Sequence, residues 1–178
     1  MEVLQTIDKR EALGKLHAMR HLLLVLIGLS LAGCASTPDE PVRSVEIKEI
    51  KPRYIPEENF KRIGEYWSGA ENKGKRVILR SDPEIRDGFY FTLVLDEKVR
   101  DLPRGTVISG EFYTPVSKDL QTRDFPLPNK LPKTREVFVG LTGADWPDPD
   151  AVPGAWRFTI KDANGEVLAT KQSYVWAM

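Results

Sequence analysis

The sequence predicts an all-β fold, an antiparallel two-sheet sandwich of about seven or eight strands that follows an export signal and a flexible tether. Apolar side chains occupy every second position of residues 89–95 and again of residues 156–160, which is the period of a half-buried strand. Short β-rich segments recur at spacings of about ten to twenty residues, and turn residues separate them. No long amphipathic helical pattern interrupts this series, which favours a sandwich over an α/β arrangement.

The first element is an export signal over residues 1–33. Arg20 and His21 precede an apolar run of 11 residues, 22–32, and small residues surround the expected cleavage site. A transmembrane helix needs about 20 apolar residues, so this run is too short to span a bilayer. Residues 1–18 contain three acidic side chains and fit an export signal poorly, which makes Met19 a candidate for the true start.

The sequence Leu31-Ala32-Gly33-Cys34 resembles the lipobox of bacterial lipoproteins. The resemblance implies cleavage before Cys34, a diacylglyceryl group on its sulfur and an acylated new amino terminus. Several acyl chains on one residue hold a protein on a bilayer, since each buried methylene contributes about 0.8 kcal/mol. Because Ala35 rather than Asp follows the cysteine, the resemblance also implies the periplasmic face of the outer membrane.

The next element is a tether over residues 34–59. Its polar composition and four prolines are typical of a linker between a lipid and a folded body. Residues 45–47 alternate and allow a short strand before the main domain.

The sandwich domain is expected over residues 60–178. Its first stretch, residues 60–67, is ambiguous: Phe60, Ile63 and Trp67 fit one helical face, yet Gly64 disfavours a helix, so we favour a short strand or irregular segment. The strands predicted after it span residues 76–80, 89–95, 106–113, 121–125, 136–141, 156–161 and 166–176.

The last two predicted strands form a hairpin, because Asp162-Ala163-Asn164-Gly165 is a typical turn sequence. Residues 153–176 resemble the closing hairpin of immunoglobulin-like domains on bacterial envelope proteins. The cysteine pair of antibody domains is absent from the sequence, which excludes that subtype.

Composition excludes several functional classes. Of the 26 Lys/Arg and 26 Asp/Glu side chains, four and three lie before Cys34, so the mature chain is nearly neutral and nucleic acid is not an expected partner. Both histidines, His17 and His21, lie in the signal, and Cys34 is the only cysteine. The mature chain therefore lacks the residues of Ser-His-Asp, Cys-His, zinc and haem sites, and we expect neither a cofactor nor an enzyme.

Four tryptophans are candidates for ligand contact. Trp156 lies on an alternating apolar face and Trp176 near the end of the last strand, so both are expected to pack against the core. Trp67 and Trp146 lie in irregular segments and form the candidate aromatic platform for a glycan. The favoured alternative for the second is a solvated loop that folds Trp146 back onto the end of the sandwich.

Acidic and basic clusters give weaker candidates. Asp145, Asp148 and Asp150 are a candidate calcium site because they lie on one loop, although no glycine between them turns that loop sharply. Glu65 together with Asp145 or Glu111 is a candidate for a catalytic carboxylate pair, although no spacing in the sequence supports the pairing. A dense charged patch is expected around one turn, and we interpret it as a salt-bridged surface. The alternative is a site for an anionic partner. Its members are Arg76, Arg80, Arg86, Asp82, Glu84 and Asp87.

These observations predict a lipid-anchored envelope protein that acts by binding. The expected role is an accessory or structural module whose protein partner is engaged through a sheet edge or loop end. A glycan- or peptidoglycan-binding module is the first alternative, and a carboxylate-dependent hydrolase is the second.

Overall fold

A computed structural model describes residues 45–177 and contains two four-stranded sheets that pack face to face, which confirms the predicted all-β sandwich. Its strands are β1 Ile47–Ile55, β2 Val77–Arg80, β3 Gly88–Leu95, β4 Val107–Tyr113, β5 Gln121–Pro126, β6 Glu136–Thr142, β7 Ala155–Lys161 and β8 Val167–Gln172. A short helix, α1, spans Glu65–Ser68. Single 3-10 turns span Glu57–Asn59, Val99–Asp101, Gly143–Asp145 and Tyr174–Ala177.

The strand order follows the immunoglobulin arrangement with one exception. The first sheet has the order β1-β3-β6-β2 and the second has β5-β4-β7-β8. Strands β1, β3 and β6 stand where immunoglobulin strands A, B and E lie, and β5-β4-β7-β8 correspond to C′-C-F-G. Strand β2 occupies the position of strand D, although it precedes β3 in the chain.

This strand β2 also departs from the predicted antiparallel pairing, because it runs parallel to β6 with Val77 beside Val137. The reason is the connection before it. Strand β1 ends at Ile55 beside Gly88, and β2 begins at the opposite end of the sheet. Residues 56–76, which we name the strap, therefore cross the outer face of the first sheet, as parallel strands require.

The predicted boundary between tether and domain at residue 60 is wrong, because β1 is a full edge strand of the first sheet. Ile47 is buried in the core and pairs with Leu95. The ammonium of Lys171 donates hydrogen bonds of 3.0 and 2.8 Å to the carbonyls of Ile47 and Lys48, at a bulge in β1. The sandwich thus begins near Val45. The predicted signal, Cys34 and the first part of the tether lie outside the described residues.

The main core lies between the two sheets. Phe91 is fully buried, and its ring lies 5.0 Å from Phe158 and 5.3 Å from Phe112 on the facing sheet. A second cluster lies on the outer face of the first sheet, beneath the strap, and consists of Ile55, Phe60, Ile78, Tyr90 and Phe138. Within residues 45–177, no helix has the length and apolar character needed to cross a membrane.

Two local expectations are corrected in detail. The ambiguous stretch 60–67 is irregular until α1 begins at Glu65, and it contains no strand. The last predicted strand ends at Gln172, and Tyr174–Ala177 turns back as a 3-10 helix. The predicted hairpin turn is present: Gly165 has a φ of +83°, and an Asp162 carboxylate oxygen accepts hydrogen bonds from the amides of Asn164 and Glu166.

Candidate functional site

The strap is fixed to the first sheet by one buried aromatic residue. Phe60 is 3% exposed, and its ring centroid lies 4.8 Å from that of Tyr90. Tyr90 is fully buried and stands opposite Gly140 on the neighbouring strand. A Cβ at Gly140 would lie 2.4 Å from the Tyr90 ring, so this close packing requires a glycine there.

Arg80 makes the second fixing contact. Its side chain is 3% exposed, and its guanidinium donates two hydrogen bonds, of 2.7 and 3.0 Å, to the Glu71 carboxylate on the strap. The same guanidinium lies 5.1 Å from the Phe60 ring centroid, in cation–π geometry. A hydrogen bond from Arg80 is the main factor that lowers the pKa of Glu71. The strap therefore carries a charged partner for a nearly buried cation.

Tyr90 links this contact to the turn before β3. Its hydroxyl accepts a hydrogen bond of 2.8 Å from Arg80 Nε and donates one of 2.7 Å to the Arg86 carbonyl. Burial raises the pKa of Tyr90 to about 12, so the hydroxyl keeps its proton as a donor.

Glu65, the first residue of α1, makes the third fixing contact. Its carboxylate accepts a hydrogen bond of 3.0 Å from the Asn72 amide and one of 2.6 Å from Arg86. These two bonds, first that from Asn72, hold the pKa of Glu65 below its usual value. Helix α1 is thereby oriented by contacts on both sides although it has only four residues.

The outer surface of this fixed segment is apolar. Ile63, Tyr66 and Trp67, which we name the strap patch, are 79%, 79% and 85% exposed. Phe60 is buried, so the helical face on which Phe60, Ile63 and Trp67 were grouped does not exist. A small cleft of about 200 Å³ adjoins Tyr66 and is lined also by Lys61 and Arg86.

The predicted platform of Trp67 and Trp146 is wrong, because Trp146 belongs to the core. It is 3% exposed, and its ring centroid lies 4.5 Å from that of Phe89. Its indole Nε1 has no hydrogen-bond partner among the described residues. Trp67 therefore remains without the second indole that the platform needs.

Of the other two tryptophans, Trp156 packs against the core as expected, whereas Trp176 does not. Trp156 is partly buried against the core, 5.8 Å from the Phe91 ring. Trp176 lies outside the second sheet, where its ring is 5.8 Å from Tyr113 and 4.7 Å from the Arg157 guanidinium.

The three aspartates of the candidate calcium loop do not converge. The Asp145 carboxylate accepts two hydrogen bonds, of 2.7 and 3.0 Å, from Arg123. Asp148 accepts a hydrogen bond from the Asp150 amide and so shapes its own loop. Residues 45–177 contain no group of three His, Cys, Asp or Glu side chains placed to hold a metal ion.

The candidate catalytic carboxylates are also separated, because each is held by its own arginine. Glu65 bonds to Arg86, Asp145 to Arg123, and Glu111 to Arg157 at 2.6 and 2.8 Å. Arg157 lowers the pKa of Glu111. Burial opposes ionisation of Asp145, but hydrogen bonds from Arg123 and Ser81 outweigh it and lower its pKa. A general acid at neutral pH needs the opposite shift.

The predicted charged patch exists in a different form. Arg80 and Arg86 pair with Glu71 and Glu65 of the strap, whereas Asp87 accepts a hydrogen bond from the Tyr54 hydroxyl. Sequence reasoning missed Glu71, since it lies in a polar stretch that shows no periodicity. The alternation of β2, with Val77 and Leu79 facing the core, was the one signal that Arg80 faces outward.

Comparisons with known proteins add no relationship: no protein-family model, no curated protein and no solved structure is significantly similar to this chain.

Proposed function

We propose that this chain is a lipid-anchored envelope protein that acts as a binding or structural accessory module, with the strap patch as the surface for its protein partner. The observation that carries this proposal is the exposure of Ile63, Tyr66 and Trp67, at 79–85%, on a segment that is itself pinned to the sandwich. No other group of the described residues combines an aromatic pair with such exposure and such local fixation.

A segment that is ordered before binding loses less conformational entropy when a partner binds it. Tryptophan and tyrosine dominate the binding energy of many interfaces, because they bury much area with few rotatable bonds. The Arg80–Glu71 and Arg86–Glu65 pairs order the strap before any partner arrives. Binding then loses less conformational entropy, so more of the contact energy appears as affinity.

Two of the four edge strands, β1 and β5, are less suited to a partner than the strap. Lys171 binds the edge carbonyls of β1, and Pro52 in the same strand has no amide proton to donate. Strand β5 ends in Pro126, which has no amide proton to donate. Such features protect edges from pairing with another chain.

The anchor is tested at Cys34. Cys34→Ala removes the only thiol of the chain, so the variant should stay uncleaved or appear as a soluble exported protein, whereas the unaltered protein should enter the detergent phase. An unaltered exported protein that stays in the aqueous phase would contradict the anchor.

The partner surface is tested with a photo-activated crosslinking residue at position 67, introduced into the protein in the intact bacterial envelope. We expect one discrete protein adduct that is absent when the crosslinker stands at Val152, which is 75% exposed but distant in the chain. Ile63→Ser together with Tyr66→Ser should abolish the adduct. Equal adducts at both positions, or none at 67, would refute the strap patch.

The same experiment separates the glycan alternative. An adduct that a peptidoglycan hydrolase removes would assign the strap patch to a glycan. The sugar rings would then stack on Trp67 and Tyr66, in place of the pair Trp67 and Trp146 that the sequence suggested.

A further inference from the structure

A basic cleft lies at one end of the sandwich, and sequence reasoning did not indicate it. The loops that precede β4 and follow β5 enclose about 610 Å³ there. Its cationic lining residues are Arg100, Arg104 and Lys130, and prolines 103, 128 and 132 form much of its wall. The lining contains no Asp or Glu side chain.

Two of these cations have no anionic partner among residues 45–177. Arg100 pairs with Asp101 at 3.2 Å, whereas no ion pair of the described part involves Arg104 or Lys130. All three side chains belong to exposed residues. Two rim segments, 73–76 and 127–135, extend the positive charge with six Lys or Arg residues and no Asp or Glu, whereas the wall loop 96–105 carries three side chains of each sign.

The chain enters the domain at this same end. Ile47 at the start of β1 pairs with Leu95, the last residue of β3, and the loop after Leu95 forms one wall of the cleft. Ten residues, 35–44, separate Cys34 from Val45. Ten residues span at most about 36 Å when fully extended, so a lipid on Cys34 keeps this end near its bilayer.

We infer that the basic cleft docks on the anionic phospholipid headgroups of the membrane that holds the anchor, an inference that rests on the proposed lipidation of Cys34. Lipid phosphates would be the anionic partners of Arg104 and Lys130, which pair with no carboxylate among the described residues. Each Lys or Arg near an anionic surface strengthens binding about five-fold. The attraction acts within about 8 Å at physiological ionic strength, which the short connection to Cys34 allows.

This docking gives the strap patch a defined direction. The Arg80–Glu71 and Arg86–Glu65 contacts lie toward the end of the first sheet opposite the cleft, since Arg80 ends β2 and Arg86 precedes β3. With the cleft on the lipid surface, α1 is held away from the membrane, where a protein partner has access to Tyr66 and Trp67.

The test uses the full chain as isolated from the bacterial envelope and reconstituted into vesicles, with one cysteine added for a polarity-sensitive fluorophore. Asn129→Cys reports on the cleft rim, and Glu84→Cys reports on the opposite end of the sandwich. Vesicles of pure phosphatidylcholine are compared with vesicles that contain phosphatidylglycerol. Acrylamide, an uncharged quencher, measures the access of water to the fluorophore.

We expect the quenching constant at position 129 to fall at least two-fold in the anionic vesicles and to recover in 1 M salt, with no change at position 84. Arg104→Gln with Lys130→Gln should abolish the protection. The matched control Arg53→Gln with Lys118→Gln removes the same charge from exposed positions elsewhere and should preserve it.

Flotation with the vesicles separates this inference from the proposed anchor. Protein that floats with both lipids but shows no lipid-dependent protection at position 129 refutes the docking and leaves the anchor intact. Protein that floats only with anionic lipid, reversibly in salt, supports the docking and refutes the anchor, and protein that floats with neither refutes both. Protection by inorganic phosphate on neutral vesicles would assign the cleft to a free anion and overturn the docking.

Discussion

Replacing Gly140 by alanine tests whether the outer face of the first sheet is as tightly packed as the contacts indicate. The new methyl carbon would lie 2.4 Å from Cε1 and 2.7 Å from Cζ of Tyr90. Carbon atoms in contact prefer about 3.5–4.0 Å, so the ring would have to move by about 1 Å. Tyr90 resists that movement because it is fully buried and its hydroxyl bonds to both Arg80 and the Arg86 carbonyl.

The expected loss of unfolding free energy follows from two opposing effects. Overpacking of this kind costs about 1–3 kcal/mol. Replacing a glycine also reduces the conformational entropy of the unfolded chain, which raises the unfolding free energy by about 0.4–1 kcal/mol. Gly140→Ala should therefore destabilise the fold by about 1.3 kcal/mol at the midpoints of these ranges, and by about 0–2.6 kcal/mol at their extremes.

Urea unfolding followed by tryptophan fluorescence measures this change, and Gly154→Ala is the matched control. The nearest heavy atom to a Cβ at Gly154 is 3.5 Å away, so the same chemical change should be neutral or slightly stabilising there. In a protein that already carries Tyr90→Ala, Gly140→Ala should cause a much smaller loss of unfolding free energy, because the ring with which the new methyl group clashes is absent. Equal costs at Gly140 and Gly154, or an unchanged cost without the ring, would refute the packing argument.

Two further predictions concern burial and charge. Trp146→Ala should reduce the unfolding free energy by about 3–5 kcal/mol, as for a core aromatic, whereas Trp67→Ala should change it by less than about 0.5 kcal/mol. Chemical denaturation of both variants measures this difference. Equal losses of unfolding free energy would contradict the burial of Trp146 and the exposure of Trp67. Arg80 lowers the pKa of Glu71, so the stability from this pair is complete above the pKa of the unfolded carboxyl and is lost as pH falls through the lower folded value. Urea midpoints measured downward from about pH 5 should therefore fall more steeply for the unaltered protein than for Glu71→Gln, while the exposed control Glu84→Gln should follow the unaltered protein.

The sequence by itself determined seven strands of this domain, β2 to β8, whereas it assigned most of β1 to the tether. Alternation of apolar side chains located β3 and β7, because a strand places successive side chains on opposite faces and only one face meets the core. The turn Asp162-Ala163-Asn164-Gly165 could also be predicted from the sequence, because its hydrogen bonds join residues within a span of five. Such features depend on neighbours in the chain, and a single sequence contains those neighbours. The sequence Leu31-Ala32-Gly33-Cys34, which resembles a lipobox, is a local motif of the same kind, and what the resemblance implies stays a prediction.

Tertiary structure alone decided which side chains meet. Trp67 and Trp146 both lie in irregular segments of the sequence, yet one is 85% exposed and the other 3%. Long-range packing made the difference: the loop after β6 folds Trp146 onto Phe89, whereas α1 carries Trp67 on the outside of the strap. No local pattern encodes either outcome.

The candidate site could not be predicted from the sequence, because it too depends on contacts between residues that are distant in the chain. Glu71 finds Arg80 only because the strap crosses the sheet, and that crossing also sets the parallel pairing of β2. The basic cleft likewise forms only when the loops before β4 and after β5 come together at the end where the chain enters. Local sequence sets the period and the turns of this protein. The order of the strands sets which charges and aromatic rings become neighbours, because that order is fixed by burial across the whole domain.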